Sequence, residues 1–125
     1  MSGILEGIRI VDVSRILAGP YATQMLADLG AEVIKIEAPW GDDTRQWGPP
    51  FTTGFDGKKV AAYFLSCNRG KEIVTFDLKR EAQEVRALIE TADVVVENFR
   101  PGTLERLLGP LPSNVILCSI SAYGA

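Results

Sequence analysis

Apolar residues fall in short blocks separated by glycine, proline and charge, and the blocks alternate between two spacings. Ile8, Ile10, Val11 and Val13 form a β-branched run of strand length. It is apolar on both faces apart from Arg9 and Asp12, the pattern of a parallel strand covered on both sides. Ala18-Gly19-Pro20 punctuates the chain. Tyr21–Leu29 then carries helical spacing, with Ala22, Met25, Leu26 and Leu29 predicted as the core-facing stripe. Pro20 fits the first turn of that helix, where a missing N–H costs nothing, and Gly30 fits its end. Val33–Ile36 starts a second strand. Together these make one βαβ unit, in which a ligand usually sits where the first strand hands over to the helix, here Ser14–Tyr21.

Downstream the periodicity lapses. Glu37–Gly57 carries three prolines, four glycines and both tryptophans, and reads as a long functional loop. Val60–Cys67 reads as a short apolar helix or extended piece, and Asn68–Lys71 as a turn. Ile73–Phe76 is predicted as the third strand. Arg80–Thr91 is an amphipathic helix with Ala82, Val85, Leu88 and Ile89 inward. Asp93–Val96 is the fourth strand, Asn98–Gly102 a turn, Thr103–Leu108 a short helix and Val115–Cys118 the fifth strand. Strands alternating with helices predict an α/β fold: an open, mostly parallel, Rossmann-like sheet of about five strands with flanking helices. Residues 1–125 read as one domain, with Met1–Glu6 a short lead-in. The chain stops at Ser119–Ala125, directly after a strand, where a doubly wound sheet normally continues with a helix. The ending reads as a cut.

Composition narrows the chemistry. The net charge of −3 argues against nucleic acid, which rewards a positive excess. There is no charged-then-apolar leader and no apolar run of about 18 residues, so no membrane span is expected and the cytoplasm follows by default. Cys67 and Cys118 read as packed thiols of a reducing compartment. The chain contains no histidine. That removes histidine general bases, Ser-His-Asp triads and most zinc sites, and no metal site is expected.

Several constellations remain open on spacing alone. The turn at Gly19 opens a helix N-terminus able to take an anion, although it lacks the G-x-G-x-x-G fingerprint. Glu37 stands about 20 residues past that turn, where a nicotinamide-dinucleotide protein places its ribose-binding acid; a solvated strand-end carboxylate is the alternative. Asp42-Asp43 could serve a metal or a general base, or cap a turn. Arg45 is a candidate fork for a substrate carboxylate or phosphate. Asn68, Arg69, Lys71 and Lys79 put basic residues at both ends of the third strand, suited to a phosphorylated ligand or merely to solubility. Asn98-Phe99 offers an amide and an aromatic face, on which an adenine could stack. Asp12 invites comparison with phospho-receiver domains, but those need a lysine after the fifth strand, and the last lysine is Lys79.

The blocks Gly7–Asp12, Leu17–Pro20, Leu29–Glu37, Val96–Gly102 and Cys118–Gly124 occur in this order in the family III CoA-transferases, which the whole chain resembles. That group includes formyl-CoA transferase, the carnitine CoA-transferases and α-methylacyl-CoA racemase. Asp42–Arg45 with Trp47–Phe51 is most similar to the succinyl-CoA:glutarate branch, which handles dicarboxylates. The resemblance implies a Rossmann-like domain that binds coenzyme A or an acyl-CoA as substrate, with no covalently bound cofactor and a carboxylic acid as the second substrate. It implies a homodimer of interlinked subunits. It places Ile16 and Leu17 at the CoA entrance, Phe76, Asp77, Leu78 and Lys79 with Asn98 and Phe99 at the adenosine end, Arg106 near the phosphates and Tyr123 close to the channel. In that family an Asp attacks the acyl-CoA to give a mixed anhydride, and the CoA thiolate returns to give an enzyme-bound thioester, splitting one hard step into easier ones. Three positions depart from it. Leu17 replaces a glutamine of formyl-CoA transferase, Ala38 replaces an arginine of many relatives, and the catalytic Asp lies beyond the segment matching Ser119–Gly124. No catalytic residue is therefore expected in this chain, and the chain alone is expected to be inactive. Two other classes remain: a non-catalytic CoA- or nucleotide-binding module, and an NAD-binding oxidoreductase fragment.

Overall fold

A computed structural model describes residues 3–124; Met1 and Ser2 of the lead-in and the final Ala125 lie outside the described residues. Five parallel strands form the main sheet: β1 (Arg9–Asp12), β2 (Glu32–Glu37), β5 (Lys71–Thr75), β6 (Val94–Glu97) and β7 (Ile116–Ser119). Their spatial order is β5-β2-β1-β6-β7. The chain thus builds outward from β1 in one direction, then returns to β1's other side and builds the opposite way. That reversal between β1 and β6 is the point where open α/β sheets bind ligands, at the carboxyl ends of the strands.

The helices are α1 (Ala18–Asp28), α2 (Ala62–Ser66), α3 (Ala82–Glu90) and α4 (Thr103–Leu108). On one face, Val85 and Ile89 of α3 and Leu104 and Leu108 of α4 pack with Val11, Val13, Ile36 and Val95. Ala82 and Leu88 lie against the same cluster, so the predicted inward stripe of α3 holds. On the other face Ile10, Val33 and Val96 pack beneath Leu26 and Ala27 of α1.

The stripe predicted for α1 does not hold. Ala22, Met25 and Leu29 are exposed, and the buried residues are Gly19, Pro20, Thr23 and Gln24. The reason is polar. Thr23 Oγ1 donates to Asp12 at 2.5 Å, and the Gln24 side chain bridges the Ser66 carbonyl and the Arg69 N–H at 2.9 and 2.7 Å. Two buried polar side chains that must find partners turn the helix away from its own hydrophobic pattern.

The helix also starts two residues before Pro20, which remains among the first-turn positions that have no intrahelical N–H partner. The third strand starts at Lys71, inside the predicted turn. Within the long loop lie a 3-10 turn (Asp43–Gln46) and the first arm of an antiparallel hairpin, β3 (Phe51–Thr53), whose partner β4 (Lys59–Ala61) follows the loop. Strands of three residues are too short to show a period. Cys67 is buried as predicted, whereas Cys118 is exposed, because β7 is an edge strand whose residues all face solvent.

Candidate functional site

A cavity of about 190 Å³ opens at the carboxyl ends of the strands, walled by residues that follow β1, β2, β5 and β6. Val13, Ile36, Phe76, Leu78, Phe99 and Leu107 supply apolar walls; Arg15, Lys35, Glu37, Asp42, Asp77 and Lys79 supply charge. Most of that charge already has a partner. Lys35 Nζ lies 2.9 Å from Asp42, and Arg45 grips Glu37 through two bonds of 2.6 and 2.7 Å. Asp77 accepts from the Lys79 N–H at 2.9 Å and stands 4.0 Å from Arg80. Arg15 and Lys79 are the lining cations with no ion pair among the described residues. The Arg15 guanidinium instead lies 5.5 Å from the centre of the Phe99 ring, within cation–π range. An apolar slot with two available cations suits a ligand that joins a flat ring to phosphate.

The turn between β1 and α1 borders this cavity and is held on every side. Ser14 N–H donates to Asp12 and Ser14 C=O accepts from Lys35. Arg15 N–H and C=O both engage the Asn98 amide, at 2.9 and 2.8 Å. Ile16 N–H donates to Asp42 at 3.2 Å, and its C=O accepts from the Cys67 thiol at 3.5 Å. Side chains from elsewhere thus meet every backbone polar group of Ser14, Arg15 and Ile16. At its end Ile16 takes φ +74°, the one non-glycine residue with positive φ among the described residues. For a β-branched side chain that is an outlier costing about 1–3 kcal/mol. Gly19 follows because a methyl there would overlap the Ser14 hydroxyl. Its role is close packing of helix on turn.

The side chains that hold the turn are themselves anchored in the interior. Asp12 also accepts from Thr23 and from Lys71, whose ammonium further reaches the Pro20 and Cys67 carbonyls and Asn68 Oδ1 at 2.8–3.0 Å. Burial pulls the Lys71 ammonium below its ordinary value and the nearby charge of Lys35 adds to this, with Asp12 opposing. Asp42 caps the 3-10 turn through Thr44 N–H and Oγ1, at 3.0 and 2.8 Å. Burial pushes its carboxyl up, but the Thr44 bonds and the bond and charge of Lys35 outweigh it and hold it below the usual carboxylate range. Burial pushes the Cys67 thiol up.

Of the residues singled out in the sequence, Phe76, Asp77, Leu78, Lys79 and Phe99 come together as cavity wall. Asn98 stands beside them with its amide on the Arg15 backbone. Ile16 and Leu17 continue the same turn without lining the cavity; Leu17 is half-exposed at the start of α1. Arg45 gives its guanidinium to Glu37 and stacks 3.9 Å over the Phe64 ring. Arg106 is exposed on α4 and Tyr123 is fully exposed; neither lines this cavity. Glu37 is a buried, fully engaged carboxylate rather than a solvated one: besides Arg45 it accepts the Asp42 N–H at 2.9 Å. The ribose-binding reading of that residue loses its acceptor. Lys71 is likewise interior, its side chain wholly buried rather than a solubilising charge. Arg15 and Lys35 were not singled out by their sequence. Lys35 had one signal, a lone cation inside a strand apolar on both sides.

The family model for CoA-transferase family III matches residues 5–125. A succinate–glutarate CoA-transferase of Agrobacterium fabrum is 48% identical, over 96% of this chain and 32% of its own length. A succinyl-CoA:glutarate CoA-transferase of Mus musculus is 46% identical, over 96% of this chain and 28% of its own. A crystal structure of a CAIB/BAIF family protein from Brucella suis superposes with a TM-score of 0.87 at 47% identity, covering 95% of this chain and 33% of that one. The chain spans about a third of the length of the curated relatives it matches.

Proposed function

This chain belongs to CoA-transferase family III, and from that premise we propose that it forms the wall holding the coenzyme while CoA passes from an acyl-CoA to a carboxylic acid. The observation that carries the reading is the cavity itself. Phe76–Lys79 and Phe99, far apart in sequence, line one apolar slot at the carboxyl ends of the strands. In this reading the adenine lies between Phe99 and the Phe76–Leu78 side, with Arg15 and Lys79 at the phosphates. The names of the two relatives above favour dicarboxylates as donor acid and acceptor.

The nucleophile is not among the carboxylates around the cavity. Asp42 and Glu37 are buried in ion pairs, and Asp77 accepts the Lys79 N–H in its own turn. In the scheme proposed, an aspartate oxygen from elsewhere in the intact enzyme attacks the thioester carbonyl. The C–S bond breaks, and CoA leaves as thiolate with the electron pair. This chain's residues retain that thiolate for its return.

Calorimetric titration of the chain with CoA, succinyl-CoA and NAD tests this. Saturable binding of both CoA species is expected, with none for NAD. Phe99→Ala should weaken CoA by about 5- to 150-fold, the range of a lost base–aromatic stack. Saturable NAD binding without CoA binding would overturn the reading, and thioester exchange by the isolated chain would overturn the missing nucleophile.

A further inference from the structure

The cavity's walls explain what could bind, but not why the turn beside it adopts a conformation that isoleucine resists. Ile16 sits at φ +74°, and the neighbouring backbone has no secondary-structure ladder to hold it there. Its N–H finds a carboxylate oxygen of Asp42, 26 residues away in sequence. That carboxylate is fixed from the other side: Oδ2 also accepts from Lys35 Nζ at 2.9 Å, while Oδ1 accepts from Thr44. Lys35 in turn donates to the Ser14 carbonyl at 3.2 Å. Lys35 and Asp42 thus hold both ends of Ser14–Ile16, each being about 1% exposed at the side chain.

We propose that Asp42, oriented by Lys35 and Thr44, is a positioning residue that fixes Ile16 in its left-handed conformation and so sets the turn carrying Arg15 into the coenzyme cavity. The proposal rests on the coenzyme reading of that cavity. Asp42, through Ile16, and Asn98, through Arg15, hold the backbone from which the guanidinium lies over Phe99. A buried ion pair is a poor source of stability, since desolvation offsets much of its attraction. Fixing one backbone geometry is what such a pair can do when its acceptor is filled, and the Asp42 oxygens here accept four bonds, from Ile16 N–H, Lys35 Nζ, Thr44 N–H and Thr44 Oγ1.

The experiment is a mutant cycle. Asp42→Leu with Lys35→Met removes both charges together, so neither is left buried alone, and a thermal melt confirms that the protein still folds. Glycine takes positive φ without penalty, so Ile16→Gly removes the need for an anchor. The expected result is that the Asp42/Lys35 substitution weakens CoA by about tenfold with Ile16 present, but by less than about threefold in the Ile16→Gly background, a coupling that only residues acting through one another show. Equal losses in both backgrounds would overturn the proposal, because the pair would then act on the ligand or the fold directly. A second readout needs no ligand: NMR couplings of Ile16 should report positive φ in the unaltered chain and negative φ in the Asp42/Lys35 variant. Positive φ in both would overturn the positioning role. If the unaltered chain bound no CoA, the coenzyme reading would fail, and the couplings would still decide the role of Asp42.

Discussion

On the face of the sheet covered by α3 and α4, the buried core is apolar throughout: Val11, Val13, Ile36, Val85, Ile89, Ala92, Val95, Leu104 and Leu108. On the opposite face, under α1, the same strands begin apolar with Ile10 and Val33 and end charged with Asp12 and Lys35. Lys71 and Thr23 join those charges from neighbouring elements through Asp12. Both faces are equally shut off from water. The apolar face requires only fitting volumes, whereas each buried ion on the other requires a partner at a defined distance and angle. The charged half of that second face lies under the Ser14–Ile16 turn, beside the cavity. Geometry is specified where the ligand would be handled, and bulk where it would not.

The sharpest way to break the contrast is Asp12→Ala. It leaves the Lys71 ammonium buried without its anion, and the Thr23 hydroxyl with only the Gly19 and Pro20 carbonyls to donate to. A loss of about 3–5 kcal/mol is expected, the usual consequence of unpairing one member of a buried ion pair. Urea denaturation measures it, and a loss below about 1 kcal/mol would mean the two faces do not differ in the way described. On the apolar face, Ile89→Ala deletes a fully buried side chain and should cost about 2–5 kcal/mol through lost transfer energy and the cavity left behind. Its signature lies in what stays constant. CoA affinity of the folded protein should hold within about twofold (under 0.5 kcal/mol), since α3 supplies no cavity wall. A larger shift would show that the apolar face shapes the site as well.

The same contrast governs what the sequence discloses. The α3 stripe is legible because one helix face meets one apolar sheet face, and period alone decides it. The α1 stripe misleads because Thr23 and Gln24 turn inward to polar partners on β1 and around α2, and no local pattern announces a partner 11 or 42 residues away. The mostly parallel α/β class follows from alternating blocks, but the β3–β4 hairpin is three residues a side and leaves no period. Phe76–Lys79 and Phe99 could be assigned to one pocket through family resemblance, and the fold brings them together. Arg15 escapes notice as one exposed arginine among many until its backbone is seen clamped by Asn98. Arg45 is the converse: a fork with the right chemistry for a carboxylate, already closed on Glu37.

The smallest effect is the dependence of stability on pH, and it separates the two buried pairs. Asp42 has its carboxyl below the ordinary range, since the bonds from Thr44 and Lys35 exceed the upward push of burial. The unfolded chain therefore binds that proton more readily. The resulting stability is whole above about pH 3.9, the unfolded value, and drains as pH falls through the lower folded one. Lys71 runs the other way, because burial lowers its folded value. Its cost is fully present below that lowered value. It eases as pH rises from that lowered value towards about 10.4, where the unfolded lysine still holds the proton that the folded one has released. Urea midpoints from about pH 3 to about pH 10 should thus sag on the acid side and rise on the alkaline side. The Asp42→Leu, Lys35→Met variant should lose part of the acid sag and keep the alkaline rise. An unchanged sag would assign it to carboxylates other than Asp42, and loss of the rise would mean that the two pairs, joined through the Ser14 turn, titrate as one network.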